Sequence, residues 1–436
     1  MSLHVLVAGA GLGGLCLAQA LHREGISVAV YEREAAADTA QGYRIHINQQ
    51  GSRALHGCLP RAQWDAFVRT AGQPCAGLGF LTEQMRELLF IEQRRIEGKP
   101  SGSPFDPVTS EHPVSRVALR GVLLGGLDQV VHFGKELVRY EVDGNSVTAH
   151  FADGTAARGD VLVAADGIGS RIRQQYLPRA RIVDTGIVAV GGHLPVNAAA
   201  RAWLPEPILH RLNNVIPPRG CGMFIAPYLR RPGARPATVD PVAAAAGTAV
   251  PDGLRDHVFW AFLAKRDAYG ADVKVEQFRE EPLQTRVLGM IEDWHPLLVR
   301  LVRESDPATV APFRVQSSEP VERWPTTRIV LLGDAIHAMT PLQGLGGNTA
   351  LRDAALLGRR LIEANRGERE LLAALQMYEE AMSGYAFEAV RRSRRIGELA
   401  VSDDPVGRSI FKIILRVADH LPALKRRMFG ARPPVG

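Results

Sequence analysis

The stretch LHVLVAGAGLGGLCLAQALHREGISVAVYERE, residues 3–34, decides the fold of this chain. It reads as strand, tight turn, helix, a stop at Gly25 and a second strand, which is a complete βαβ start. Val5 to Ala8 form the first buried strand, and Gly9, Gly11 and Gly14 give G-x-G-x-x-G at its end, with Leu12 and Gly13 inside the same turn. Glycine is needed there because the turn takes positive φ, the backbone must touch a pyrophosphate, and the helix must pack closely on the strand. The helix N-terminus then offers free N–H groups and the positive end of its dipole to negative charge. Glu32 closes the second strand eighteen residues after Gly14. A carboxylate there accepts hydrogen bonds from both ribose hydroxyls and repels a 2′-phosphate. The motif's placement between strand and helix, with the acid in position, marks a dinucleotide site that NAD and FAD fit equally.

Composition bounds the rest. A chain of 436 residues exceeds what one hydrophobic core serves, and its 46% apolar content can fill two lobes. The formal charge of +6 arises from 46 arginines and six lysines set against 46 acids, with no long basic run and no zinc-ligand spacing. Nucleic acid is therefore not an expected partner. Cys16, Cys58, Cys75 and Cys221 form no C-x-x-C pair, Met1 to Leu3 lead straight into the first strand, and no apolar run approaches bilayer length. Those features lead us to expect a cytoplasmic protein without a transmembrane segment. The basic segment 407–430 reads as a packed C-terminal helix rather than a membrane-surface helix.

Two further strands end in Asp-Gly or Gly-Asp. DVLVAADGIGSRIR, residues 160–173, carries Asp166, and RIVLLGDAIHAM, residues 328–339, carries Asp334. Neither is followed by a second G-x-G-x-x-G, so each reads as a strand tip that approaches a sugar-alcohol chain or phosphates. Taken alone, both aspartates could be ordinary helix caps, and Arg116 and Arg171 solvated surface groups.

Taken in order, GAGLGG with Glu32, DGIGSRIR and GDAIHAMTP resemble the three fingerprints of the group A flavin monooxygenases, the single-component aromatic hydroxylases with the para-hydroxybenzoate hydroxylase fold. The most similar members oxygenate aromatic or polyketide-like natural products. The resemblance runs from residue 3 to about 395 and implies an α/β fold: a Rossmann-like FAD-binding domain of the GR2 type, a mixed β-sheet substrate domain and C-terminal helices. It implies that Glu32 holds the adenosine ribose, Arg33 lies near the adenine, and Arg116 reaches the pyrophosphate. Asp334 would hold the ribityl and pyrophosphate region, Asp166 would support the NAD(P)H-facing side, and Arg44 would lie on a flavin-side loop. His337 reads as a packing or hydrogen-bonding residue rather than a base, because no acid that could orient it stands nearby.

The same resemblance explains a second glycine turn. After Pro341 the chain reads LQGLGGNTALRDAALLGRRL, in which Gly344, Gly346, Gly347 and Asn348 lead into a helical segment. Reduced flavin carries negative charge that a helix N-terminus stabilises. One long ligand held at both ends accounts for two glycine turns.

Residues 1–72, 102–180 and 282–395 are expected to form the FAD domain, 73–101 and 181–281 the substrate sheet, and 396–436 a helical tail. A hairpin is expected over 78–92 and strands over 186–194, 207–212, 222–228 and 257–265, with helices over 276–303 and from 347 onward. The Pro, Ala and Gly-rich run 229–253 reads as an excursion from the core. The implied activity is NAD(P)H- and O2-dependent insertion of one oxygen atom through a flavin C4a-hydroperoxide, by hydroxylation or epoxidation of a small aromatic or polyketide-like molecule. Baeyer–Villiger oxygenation and an FAD-dependent reductase without oxygen insertion stay open. NAD(P)H would dock transiently, no metal is implied, and the protein would be a monomer or homodimer. His46, His193, His210, Arg211 and Tyr228 are candidates to activate a phenolic substrate, with none singled out.

Overall fold

A computed structural model describes residues 2–35, 44–93, 105–231, 255–270 and 283–429. Four sheets organise the described residues. The first is a five-stranded parallel sheet in the order β17 (Ile329–Leu331), β11 (Val161–Ala164), β1 (His4–Ala8), β2 (Ser27–Glu32) and β7 (Val131–Phe133). Its central strands are continuous apolar runs because both faces are covered. A three-stranded antiparallel sheet follows, β10 (Ala156–Gly159), β9 (Ser146–Phe151) and β8 (Leu137–Asp143). The large mixed sheet has seven strands in the order β16 (Ala311–Ser318), β12 (Ile182–Pro195), β15 (His257–Lys265), β14 (Cys221–Tyr228), β13 (Leu212–Ile216), β4 (Gly77–Thr82) and β5 (Glu87–Glu92). A two-stranded ribbon, β3 (Arg44–Ile47) with β6 (His112–Ser115), completes the set.

The helices among the described residues are α1 (Leu12–Arg23), α2 (Gln49–Cys58), α3 (Arg61–Thr70), α4 (Arg116–Leu124), α5 (Arg171–Tyr176), α6 (Ala198–Arg201) and α7 (Glu206–His210). They continue with α8 (Leu283–Met290), α9 (Pro296–Arg303), α10 (Asp334–His337), α11 (Leu345–Asn365), α12 (Leu371–Ala400), α13 (Pro405–His420) and α14 (Pro422–Phe429). α1 and α11 lie against each other through small residues: a Cβ added at Gly358 would sit 3.2 Å from the Ala20 methyl. That close approach brings the starts of the two helices together, which matters for the site.

Alternation assigns the two faces of the seven-stranded sheet. Val188, Val190, Val258, Trp260, Phe262 and Ile225 face outward onto α8 and α9, where they meet Val287, Leu298 and Leu301. Trp260 is fully buried and its indole N–H donates to Ser305 Oγ at 2.7 Å, so its one polar atom is satisfied. Removing such a side chain costs about 3–5 kcal/mol. Ile187, Ala189, Leu263, Val315 and Phe313 face the other way, toward Leu342 and hence toward the second glycine turn.

Three expectations change. Residues 207–212 are not one strand: α7 ends at His210 and β13 begins at Leu212, because Pro205 and Pro207 favour a helical start. The boundary expected at residue 282 is displaced, since α8 and α9 pack on the outer face of the large sheet and β16 pairs with β12. The segment 283–318 therefore belongs by packing to the sheet lobe. The tail is also packed on one side only, as described below. Residues 232–253 of the Pro, Ala and Gly-rich run, and 276–282 of the expected helix, lie outside the described residues.

Candidate functional site

Because β17, β11, β1 and β2 are parallel, their C-terminal ends emerge along one edge. The register pairs Leu331 with Ala164, Ala164 with Ala8, and Ala8 with Tyr31, so the tips are level. Asp334, Asp166, the first glycine turn and Glu32 thus stand in a row three strand spacings long, about 14 Å. In open α/β sheets this carboxyl edge is where ligands bind.

Within the first turn the glycines have different tasks. Gly9 has φ 104° and an added Cβ would lie 2.3 Å from the Ala165 carbonyl oxygen, while one at Gly14 would lie 2.2 Å from the Gly9 carbonyl oxygen. One at Gly13 would strike Leu332 at 2.4 Å. Gly11, the N-cap of α1, has ordinary φ of −75° and would meet nothing within 4 Å. Three glycines therefore serve packing, whereas Gly11 leaves a bare backbone face at a helix start, the shape a phosphate needs. Leu12 opens the helix beside it. Glu32 is held in place by accepting the Ala10 N–H at 2.7 Å on one carboxylate oxygen and the Glu34 N–H at 3.1 Å on the other. Each oxygen keeps a second lone pair for a ribose hydroxyl. Arg33 is exposed at the strand end. Arg120 was not anticipated: its Nε donates to the Ala10 carbonyl at 3.2 Å. It lies one turn after Arg116 on α4, an i,i+4 spacing visible in the sequence.

Asp334 is exposed by surface area yet enclosed by enough protein that burial raises its carboxyl pKa, against the pull of His337 and Arg116. That combination places it on the floor of a cleft with Arg116 facing it. Burial likewise raises Asp166, against hydrogen bonds from Ser170 and the backbone. Asp166 accepts the Arg171 N–H at 3.1 Å on one oxygen, and its other oxygen, Oδ1, is buried without a partner. Ser170 is the true cap of α5, accepting the Arg173 N–H at 2.9 Å. Arg173 donates to the Ile168 and Ala335 carbonyls at 2.9 and 3.0 Å, clamping one aspartate tip to the other. Arg171 instead pairs with Glu136 on the surface.

The second turn meets the first in space. Pro341 opens a short 3-10 turn, Gly344 follows with φ 60°, and α11 begins at Leu345. An added Cβ at Gly346 would lie 3.8 Å from Asp334 Oδ1, and one at Gly347 3.7 Å from Leu12. The free N–H groups in the first turn of α11 thus adjoin those of α1. Both donors of the Asn348 side chain are spent: its amide donates to the His46 and Gly344 carbonyls, both at 2.7 Å, and its oxygen accepts the Asn48 N–H at 2.9 Å. It ties the β3–α2 connection to this helix start.

His337 does have an acidic partner, which corrects the sequence reading. Asp353, sixteen residues later on α11, lies 2.5 Å from His337 Nε2, and both side chains are wholly buried. Burial disfavours the charged ring, but Asp353 outweighs it and the His337 pKa is raised. Asp353 also accepts the Gly333 N–H at 3.0 Å and the Tyr385 hydroxyl at 2.6 Å. This buried network fixes the turn that presents Asp334.

A second polar cluster lies where β3 and β6 approach the inner face of the large sheet. Alternation puts Arg44 and His46 on one face of β3. Arg44 is buried, donates to Cys75 Sγ at 3.6 Å and leaves its Nε without a partner. Burial lowers its pKa, with Cys75, Glu111 and Tyr228 acting the other way. His46 Nε2 lies 2.6 Å from Glu111, which also accepts the Gln93 amide at 2.5 Å. Burial would raise Glu111, but His46, Gln93 and Arg44 together lower it. An ionised carboxylate only accepts, so Nε2 carries the hydrogen of this bond, while Nδ1 is buried without a partner. Gly344 neighbours this histidine: a Cβ added at Gly344 would lie 3.9 Å from the His46 Cβ. His193, His257 and Tyr228 form a ring stack nearby, with centroids 4.4 and 5.3 Å apart. Burial, helped by His193, pushes His257 down to about 3, so it is neutral. His210 and Arg211 do not join the cluster; they pair with Glu206 and Glu87. Glu111, Gln93 and His257 were missed because nothing local in their sequence marks them.

These groups fit FAD: an open helix start at Gly11, an orphaned oxygen at Asp166, an anchored carboxylate at Glu32 and a second helix start beside the first. Among the described residues no group of three or more His, Cys, Asp or Glu could hold a metal ion, and no helix is long and apolar enough to cross a membrane.

Comparison with known proteins agrees. A family model described as FAD binding domain matches residues 2–393. A dual O-methyltransferase/FAD-dependent monooxygenase of Cercospora beticola is 32% identical over 408 residues, which cover 89% of this chain and 45% of that protein. The chain thus spans about half the length of such relatives. The aurachin C monooxygenase/isomerase of Stigmatella aurantiaca is 27% identical over 99% of both chains. A solved structure assigned as an FAD-containing monooxygenase of Photorhabdus luminescens superposes with a TM-score of 0.77 at 33% identity, covering 92% of this chain and 99% of that one.

Proposed function

The chain belongs to the FAD-binding-domain family, and from that membership we propose that it is an FAD-dependent monooxygenase. It uses NAD(P)H and O2 to insert one oxygen atom into an aromatic or polyketide-like small molecule. The observation that carries this reading is the meeting of the two helix starts, with Gly347 against Leu12 and Asp334 against Gly346. One extended cofactor can be held by both.

In this reading Glu32 binds the adenosine ribose, with Arg33 beside the adenine, and the Gly9–Gly14 turn, Arg116 and Arg120 neutralise the pyrophosphate. Asp334 and Asp166 take the polyol chain. The first turn of α11, from Pro341 and Gly344 to Gly346, Gly347 and the Asn348 backbone, faces the ring system and stabilises negative charge there. When bound, FAD supplies the redox chemistry with NAD(P)H and O2, which no side chain here could supply. The protein's share is orientation, exclusion of water and proton handling.

We assign the proton-accepting role toward a phenolic substrate to His46. Its bond to Glu111 and its neighbour Gly344, which opens the helix start that we assign to the ring system, support this reading. Phe259, Phe313 and Phe224 on the inner face of the sheet supply an aromatic wall, with Arg44 and the His193–His257–Tyr228 stack as its polar border.

The test is the visible spectrum of the purified protein, followed by NAD(P)H oxidation in air with a panel of phenolic polyketides and 18O2. Bound flavin, substrate-stimulated oxidation and one labelled oxygen in the product support the proposal. Bound flavin without label in any product points to a reductase, and a protein that takes up no FAD refutes the assignment of the site.

A further inference from the structure

The outer face of α13 is apolar. Val406, Ile410, Ile413, Ile414, Val417 and Leu421 are between 39 and 65% exposed. At 3.6 residues per turn they share a stripe about 100° wide. The opposite side of the helix is the packed one. There Leu415 and Ala418 are buried, and Arg408 donates to the Pro217, Cys221 and Ala400 carbonyls at 3.0, 2.6 and 3.0 Å. The stripe is therefore not a misplaced core face; the helix is firmly seated and turns a second apolar surface to solvent.

We propose that this stripe is the interface of a two-fold symmetric dimer of this chain, with α13 of one copy antiparallel to α13 of the other. Three features select a second copy. The 4-3-4 spacing of Val406, Ile410, Ile413 and Val417 is that of a helix–helix seam, filled by β-branched residues. The six positions are also symmetric about the midpoint between Ile413 and Ile414, which an isologous contact requires. The two-fold sets Val406 against Leu421, Ile410 against Val417 and Ile413 against Ile414 of the other copy. Charge agrees with that direction: exposed Asp404 precedes the helix and exposed Arg426 follows it, so antiparallel pairing brings opposite charges together at both ends.

An anionic membrane surface fits less well. Lys412 and Lys425 are committed to Glu83 and Asp419, and α13 carries no Trp or Tyr. Surface-binding segments present about four to eight free basic residues.

The experiment is light scattering coupled to size exclusion on the FAD-loaded full chain at about 50 µM, the range in which a modest interface is populated. Wild type should elute with the mass of two chains, and Ile413→Glu/Ile414→Glu with the mass of one, with flavin spectrum and circular dichroism unchanged to show that it is folded. Val406→Cys/Leu421→Cys should form a disulfide-linked dimer on mild oxidation, which fixes the antiparallel register. A monomeric wild type overturns the proposal, whether or not it sediments with phosphatidylglycerol vesicles. So does a dimer that survives the double glutamate substitution, or a dimer in which the cysteine pair fails to cross-link.

Discussion

Replacing Gly11 by alanine separates the role of the first turn in folding from its role in holding a ligand. The backbone there has φ −75° and an added methyl meets no atom within 4 Å, so the apoprotein has room for it. Two small effects oppose each other. Alanine restricts the unfolded chain, which stabilises by about 0.4–1 kcal/mol, but it is a poorer N-cap than glycine by a comparable amount. The expected net change in apoprotein stability is within about 1 kcal/mol. A ligand phosphate on that open face would be pushed off the helix start, losing at least one charge-assisted hydrogen bond of about 1.5–3 kcal/mol. FAD affinity should fall by about 10- to 100-fold. Gly14→Ala is the contrasting change: its methyl would lie 2.2 Å from the Gly9 carbonyl oxygen, so the apoprotein itself should be destabilised. The assay is urea denaturation of deflavinated protein together with fluorescence titration of FAD. If Gly11→Ala binds FAD as wild type does while remaining as stable, the turn is not the phosphate cradle and the reasoning fails.

Asp353→Asn places an amide among three donors, His337, Gly333 and Tyr385, and should cost about 3–5 kcal/mol in urea unfolding. Because the His337 pKa is raised above its free value of 6.5, the pair's contribution is fully present below that pH and is lost as pH rises through the folded value. The stability gap between wild type and Asp353→Asn should therefore narrow as pH rises above the free histidine value; a gap that widens contradicts a protonated His337. Glu111→Gln frees the His46 tautomer and should lower kcat by about 10-fold, with a smaller change in KM and a shifted pH–rate profile; an unaltered profile would remove the dyad from the mechanism. Arg408→Ala strips three carbonyls of their buried donor, so hydrogen exchange in 405–420 should accelerate by about 100-fold while β1 and β11 stay protected. Equal acceleration in those core strands would mean that the tail is part of the global fold.

The hairpin at 78–92 and the parallel core were legible because their signals are local. Alternating or continuous apolar runs bounded by glycine report a strand wherever it ends up. The same holds for Gly9, Gly11, Gly14 and Glu32, whose spacing within one βαβ unit is itself the geometry of the site. Residues 207–212 failed because a short stretch such as Ile208-Leu209 next to proline is compatible with either helix or strand, and Pro205 and Pro207 tipped it. The boundary at 282 failed because amphipathic helices such as α8 and α9 declare that they pack, not against which sheet.

Sequence by itself carried the dinucleotide turn and the order of the three fingerprints that mark FAD, since each motif rests on residues a few positions apart. Tertiary structure alone decided how those motifs meet: that Gly347 comes beside Leu12, that Asp353 holds His337, that Glu111 bonds His46 across 65 positions, and that α13 turns an apolar stripe outward. The physical reason is the same in each case. A backbone pattern encodes its own periodicity, but a hydrogen bond or a packed face needs a partner, and partners are chosen by the path of the chain between them.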